Sequence, residues 1–426
     1  MKTIIKNVML PGDTSLVNVL IENKRISKIT KENICATVGD DIIEGNGNLL
    51  ISGFYNAHGH SAMTALRGYA DDLPLRRWLF EKIFPAEDKL TGRVVYNASM
   101  LAISEMLSSG TVSFSDMYFF MDETARAVIE SGIKANLCRG YTSDEDTDMS
   151  TDIRFAESKR LVSDYNMYDD GRIVAEMCVH AEYTNAERPV RTIAEYAKEN
   201  GLGIQLHASE TESEHNECIE RRGKTPIAWF ESLGILDSPV TAAHCVWVTP
   251  EDMKIMAEKG VSVAHCPISN LKLGSGVLPF SDIADAGINI ALGTDGASSN
   301  NRLDMIRELQ TAAILHKGIS RDPVKVPAKQ IYEVATLGGA TAQRRFDCGK
   351  IAEGMRADIV ILDVHSIHNI PLYDSYSMIA YSASSSDVLM TMVDGKILYR
   401  NGEFKTIDIE KIKAEAESTL KGFFYR

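Results

Sequence analysis

The pentapeptide Asn-Ala-His-Gly-His, residues 56–60, places two imidazoles two residues apart. On an extended strand, residues i and i+2 face the same side, so His58 and His60 can both grip one metal ion. Alone, such a pair also fits a solvated strand end. His207, in the stretch HASE, offers a third nitrogen, and Asp295, in LGTDG, offers a carboxylate. Each has a plainer reading by itself: a hydrogen-bonded core histidine for His207, a turn or helix cap for Asp295. Together, three nitrogens and one oxygen suit a divalent ion, zinc first, with a position left for water. Iron, manganese and nickel accept the same donors. Such an ion lowers the pKa of its water towards about 7 and supplies hydroxide at neutral pH. Asp295 can then be ligand and base at once. Glu210 follows His207 by three residues and can carry a proton between water and substrate. It also stands in an acidic run (Glu210, Glu212, Glu214, Glu217) that suits the first turn of a helix.

These residues can meet only if the chain brings them together. The middle of the sequence repeats a short buried strand followed by a helical stretch. The expected strands are 49–60, 110–116, 134–140, 172–181, 203–210, 240–245, 261–266 and 288–296. Helical segments lie between most of them, such as EDMKIMAEKG, which ends on a capping glycine. Eight such units predict an α/β fold, a (β/α)8 TIM-type barrel; a doubly wound open sheet is the other arrangement the pattern allows. Several of the strands end in His or Asp. Barrel sites lie at the C-terminal ends of the strands, so these side chains would converge on one mouth.

The two chain ends read differently. Residues 1–50 alternate as short strands, and the stretch from about 350 does the same, with VDGK and RNGE as Asp-Gly and Asn-Gly hairpin turns. The expected organisation is a β-sandwich made from both ends (1–53 and 350–426) around a metal-dependent hydrolase barrel (54–349). The tail DIEKIKAEAESTLKGFFYR has the spacing of a helix.

Composition bounds the function. The 426 residues are 44% hydrophobic and 24% charged, with no apolar run long enough to span a membrane. A formal charge of −14 argues against a general nucleic-acid surface. The seven cysteines are odd in number and scattered, which fits reduced thiols. Lys6 and Asn7 interrupt the N-terminus too early for a signal peptide, and a cytoplasmic location is expected.

The stretches NAHGHSAMTALRGYADDLPLRRWLFEKIFPAE, HASET, AAHCV, HCPISNLKLGSG and LGTDGASSNN together resemble the amidohydrolase superfamily. More narrowly, they resemble its 5′-methylthioadenosine/S-adenosylhomocysteine deaminase branch, near the triazine chlorohydrolases. The likeness runs over nearly the whole chain. It implies that His58, His60, His207 and Asp295 hold one divalent ion. It also implies that His244 hydrogen-bonds the nucleophilic hydroxide, and that Glu210 protonates the purine N1 as C6 is attacked. Asp295 would help protonate departing ammonia. Trp78, Glu87 and His180 would contact the nucleoside, Glu87 at the ribose hydroxyls. Arg139 and Arg154 would reach a carboxylate on the substrate. By default Trp78 is a packed helix aromatic, and Glu87 and the arginines are solvated charges.

The implied partner is a small-molecule nucleoside, with a homo-oligomer expected and no nucleic acid or membrane. Deamination or dechlorination of another ring (guanine, cytosine, triazine) is the second reading, and a non-catalytic scaffold the third. The chain departs from the branch around His180, where Val179 and Glu182 replace prolines.

One repeat remains. Ala-His-Cys occurs twice, ending at Cys245 and Cys266. Alternation predicts that both cysteines face the helix layer. His244 and His265 would then reach the same rim, with His265 supporting the loop PISNLKLGSG or lining the pocket.

Overall fold

The computed structural model describes residues 2–424. Eight parallel strands form the central sheet. They are β1 (Phe54–Asn56), β2 (Thr111–Tyr118), β3 (Lys134–Arg139), β4 (Ile173–Val179), β5 (Ile204–Ala208), β6 (Val240–His244), β7 (Ser262–His265) and β8 (Asn289–Leu292). Each pairs with the next in chain order. The last returns to the first through the Ala57 N–H, which donates to the Leu292 carbonyl at 2.8 Å. This is the expected barrel, wrapped by helices such as Gly92–Ser108, Pro250–Lys259 and Met305–Ser320. Thr249 and Asp252 cap the second of these reciprocally, and Gly260, with φ 67°, ends it.

Two expected strands are broken. The stretch 49–60 divides into Leu49–Ser52, which leaves for another sheet, then β1, then a two-residue strand Gly59–His60. The stretch 288–296 divides into β8 and Asp295–Gly296. The two short pieces pair with one another, Asp295 opposite Gly59 and Gly296 opposite His60. The breaks lift His58, His60 and Asp295 above the barrel proper, at its C-terminal rim.

Below that rim the barrel interior is polar, which the apolar look of the strands did not suggest. Glu176 accepts from Asn136 Nδ2 at 3.1 Å and from Gln205 Nε2 at 2.7 Å. Gln343 donates to the Asn56 carbonyl at 2.9 Å. Buried polar groups are tolerated where they satisfy each other.

The chain ends contribute nine strands to one continuous sheet. Leu49–Ser52 pairs antiparallel with Ile359–Leu362 and so joins the two halves. The sheet bends along Thr3–Leu10, whose start lies beside Asp41–Glu44 and whose Met9 lies beside Leu49. Folded this way, it closes on one core: Val8, Val19 and Ile26 meet Leu50, Ile359, Ile361 and Met392. The alternate residues Leu49, Ile51, Val360 and Leu362 pack on the barrel instead, as the two-residue period of a strand requires. The expected sandwich is therefore a single sheet doubled over. VDGK and RNGE form its hairpins, with φ positive at Asp394, Gly395, Asn401 and Gly402. Ile409–Phe424 is the expected C-terminal helix; residues 425 and 426 of that expectation lie outside the described ones.

A buried charge cluster pins the doubled sheet to the barrel floor. Lys134 Nζ lies 2.6 Å from Asp358 Oδ2 and 2.7 Å from Asp394 Oδ1, all three side chains at most 2% exposed. The Tyr55 hydroxyl donates to Asp358 at 2.6 Å. Removing one partner of a buried pair strands the remaining charge, at a cost of about 3–5 kcal/mol. Lys134→Met is expected to destabilise the protein by about that much in urea unfolding; a loss under about 1 kcal/mol would place the anchor elsewhere.

Candidate active site

The side chains expected to do chemistry lie in one cavity at the C-terminal end of the barrel. It encloses about 710 Å³ including its open mouth. At its base, donor atoms of His58, His60 and Asp295 all lie within 4.8 Å of one another, and so do those of His58, His207 and His244. Asp295 Oδ1 is 3.2 Å from His60 Nε2 and 3.5 Å from His58 Nε2. His244, which the sequence reading left out of the ligand set, thus belongs to the same cluster as the expected ligands.

The outer nitrogens of these rings are tied. His60 Nδ1 donates to the Met117 carbonyl at 2.6 Å, and His207 Nδ1 to the His180 carbonyl at 2.7 Å. A carbonyl only accepts, so Nδ1 carries the hydrogen in each neutral ring and Nε2 presents its lone pair inward. That arrangement orients metal ligands. His58 Nε2 is buried and has no hydrogen-bond partner among the described residues. An orphaned ring nitrogen facing a carboxylate and two more imidazoles fits a cation. Three nitrogens and one oxygen fit a divalent one.

The Asp295 carboxylate draws positive charge to this cluster. Burial, then the neighbouring His60, takes His58 down to about 4, against the pull of Asp295. Burial opposes charge on His60 too, yet the Asp295 carboxylate and the Met117 carbonyl outweigh it and raise it to about 9. Burial would raise Asp295, but His58 and His60 hold it well below the carboxylate range. Ser269 and Ser299 donate to its other oxygen at 2.6 and 2.8 Å. Gly293 lets the chain pass, because a Cβ there would come within 2.9 Å of His58 Cβ.

Glu210 stands beside the cluster, its Oε2 3.7 Å from His244 Nε2. Burial, together with the nearby Asp295, raises its pKa. Ser275 Oγ donates to Oε1 at 3.0 Å. Glu214 accepts from the backbone N–H groups of Ser209 and Glu210 at 3.0 and 2.7 Å, and so fixes the turn that carries Glu210.

Several of these residues have left-handed backbones: Ser209 (φ 49°), His244 (70°), Cys245 (51°) and Asp295 (58°). Such conformations are costly for residues other than glycine and cluster at functional sites. At His244 the consequence is visible. Register sets His207 opposite Ala243 and Ala208 opposite His244. Ala208 packs in the helix layer, so ordinary alternation would turn His244 outward as well. The positive φ turns it inward and leaves Cys245 in the helix layer.

In the second copy alternation runs on. His265 lies opposite Leu292 and faces the helices, its Nε2 3.1 Å from His316 Nε2. Cys266 turns in, its sulfur 3.0 Å from where a Gly293 Cβ would stand. The expectations that His265 reaches the rim and that Cys266 faces outward are therefore both corrected.

Part of the cavity wall comes from an irregular helical segment. It runs through Leu75–Trp78, a wide turn Leu79–Ile83, and Phe84–Glu87. Trp78, Phe84 and Glu87 line the cavity with Tyr118 and His180. Burial raises Glu87 to about 7. Its Oε1 and the Tyr118 hydroxyl are buried with no hydrogen-bond partner among the described residues. Tyr118 was not singled out from the sequence; it ends a strand whose other residues read as plain core.

His180 faces the cavity, and burial takes it down to about 3. Glu182 stays out, buried against Arg221 at 2.8 Å and against Arg222. Val179 packs in the core. Neither departure from the family pattern enters the pocket.

Arg139 and Arg154 are not among the lining residues. Arg139 Nε pairs with Glu157 at 2.8 Å behind Phe119, and Arg154 Nε with Asp152 at 3.0 Å beside Tyr141. Each guanidinium already has a carboxylate, which sequence position alone does not reveal.

A barrel whose rim gathers four histidines, an aspartate and a glutamate defines a metal-dependent hydrolase of the (β/α)8 class. The model of the amidohydrolase family matches residues 49–398, and the chain belongs to that family. It is 45% identical to a 5-methylthioadenosine/S-adenosylhomocysteine deaminase of Moorella thermoacetica, over 89% of each chain. It is 41% identical to a 5′-deoxyadenosine deaminase of Methanosarcina mazei, over 96% of this chain and 94% of that one. A crystal structure of an adenosine deaminase from Xanthomonas campestris with bound zinc superposes with a TM-score of 0.91 at 30% identity, covering 100% of this chain and 98% of that one. No helix among the described residues is long and apolar enough to cross a membrane.

Proposed function

We propose that the protein hydrolyses the C6 amino group of the adenine ring in adenosine derivatives altered at the 5′ position. The products are the inosine analogue and ammonia. The observation that carries this reading is the 41–45% identity, over most of the chain, to relatives named for such deaminations. The substrates in those names share an adenosine without a free 5′ hydroxyl.

His58, His60, His207 and Asp295 would hold one divalent ion, and zinc is favoured by the donor set and by the Xanthomonas structure. Bound there, it supplies Lewis acidity and makes water nucleophilic near neutral pH. Asp295 takes the proton released by the attacking water and passes it to the departing amine. Glu210, whose carboxyl burial pushes towards the protonated form, gives its proton to N1 as C6 becomes tetrahedral and takes the C6 hydroxyl proton back as ammonia leaves and the carbonyl forms. His244 steadies the nucleophile through Nε2. Trp78 and His180 wall the base, and Glu87 with Tyr118 takes the ribose hydroxyls, which would satisfy their orphaned oxygens. Arg139 and Arg154 would reach a substrate carboxylate only by exchanging Glu157 and Asp152 for it.

The chemistry belongs to residues 54–349, with the flanking 1–53 and 350–426 as a stiffening sheet. A cytoplasmic location is supported by six buried, unbonded cysteines.

The test is ammonia release from methylthioadenosine, S-adenosylhomocysteine, 5′-deoxyadenosine, adenosine, guanine and cytosine, with chloride release from a chlorotriazine. Turnover is expected on the adenosine derivatives. Turnover confined to the other rings would overturn the reading.

A further inference from the structure

The loop segment after β7, which opens with the short helix Pro267–Lys272, carries no residue assigned above to the reaction, yet it touches three that are. Ser269 reaches Asp295 at 2.6 Å, Ser275 reaches Glu210 at 3.0 Å, and Asn270 Oδ1 lies 2.8 Å from His244 Nδ1. All three loop side chains are buried. The loop is closed on itself by the Ser275 N–H on the Asn270 carbonyl at 2.8 Å. It is tied to the chain beyond β8 by Glu308, which accepts from the Ile268 N–H at 3.3 Å and from Asn300 Nδ2 at 2.6 Å. The scaffold that aims the contacts is therefore itself held.

We infer that Asn270 is a positioning residue for the deamination: its side-chain oxygen holds His244 as the Nδ1–H tautomer and aims the bare Nε2 at the reacting centre. This rests on the function proposed above. A neutral imidazole has one N–H and one acceptor nitrogen. Facing an amide oxygen, Nδ1 carries the hydrogen and Nε2 is left to accept. Asn270 thus does for His244 what the Met117 and His180 carbonyls do for His60 and His207.

The difference is that a backbone carbonyl cannot turn over, whereas a side-chain amide can. Turned over, its nitrogen would face Nδ1 and select the opposite tautomer. Asn270 Nδ2 is buried with no partner among the described residues, so the contact to His244 alone sets the amide's direction. His244 needs such a guide more than the other histidines, because its backbone is left-handed at φ 70° and leaves the regular strand there.

The test uses the metal-loaded full chain with Asn270→Ala and Asn270→Asp. The readouts are kcat, KM, metal per chain, melting temperature and the ¹⁵N shifts of the His244 ring. Asn270→Ala is expected to lower kcat by about 10–100-fold, the usual cost of losing an outer partner, with KM and metal content held. Asn270→Asp keeps an acceptor and cannot donate, so it is expected to recover most of the loss. The ring should read as Nδ1–H in the parent and the aspartate variant, and as a tautomer mixture in the alanine variant. Unchanged kcat in the alanine variant, equal loss in both variants, or loss that tracks metal content or melting temperature would each overturn the inference. A parent protein that releases no ammonia from any adenosine derivative would overturn the function instead, and the ¹⁵N shifts would still decide the tautomer.

Discussion

His207→Ala is expected to remove the metal and the activity together. The ring contributes one of the three nitrogens proposed as ligands, and its direction is set from behind by the His180 carbonyl on Nδ1. Alanine leaves His58, His60 and Asp295, three of the four proposed donors. Loss of a partner behind a ligand costs about 10–100-fold in metal affinity or activity, and loss of the ligand itself should exceed that. The fold should survive, because His207 is near the end of β5 and the strand's packing rests on Ile204, Leu206 and Ala208. Metal analysis and turnover on the same preparation check this. A variant that keeps one ion per chain would show that His244, whose donor nitrogen also lies within 4.8 Å of that of His58, serves as the ligand in its place.

Glu210→Gln should separate the ion from the proton. The side chain keeps its shape and can still accept from Ser275, while the acid is gone. Metal content is expected to hold and KM to change little, while kcat falls by about 10²–10⁴-fold, the usual contribution of a positioned acid or base. The size of the effect follows from placement. Burial raises the carboxyl's pKa and so favours the protonated form over that of a solvated glutamate. Near-parental turnover in steady-state kinetics would remove Glu210 from the reaction.

Much of this site was legible in the sequence because metal chemistry demands few residue types. His58, His60, His207 and Asp295 stand at strand ends, and the repeating strand–helix pattern requires those ends to converge. The barrel followed from the same pattern, and the hairpins of the end sheet from VDGK and RNGE, where Asp394 and Asn401 take the positive φ such turns need.

What the sequence hid was direction. Two identical tripeptides point opposite ways, because His244 adopts a left-handed backbone while His265 continues its strand. Residue type does not encode that choice; the loop and the register around it do. The arginines were hidden for a related reason. Whether Arg139 and Arg154 are free depends on Glu157 and Asp152, which meet them only through the fold. Asn270, Ser269 and Ser275 carry no such signal in the sequence until the folded chain sets them against His244, Asp295 and Glu210.

The most direct measurement is mass analysis of the product formed from 5′-methylthioadenosine in ¹⁸O-labelled water by the metal-loaded protein. Hydrolytic deamination requires one labelled oxygen on the purine ring of methylthioinosine and one ammonia released per turnover. Free adenine from cleavage of the glycosidic bond, or intact substrate when every chain carries its ion, would contradict it.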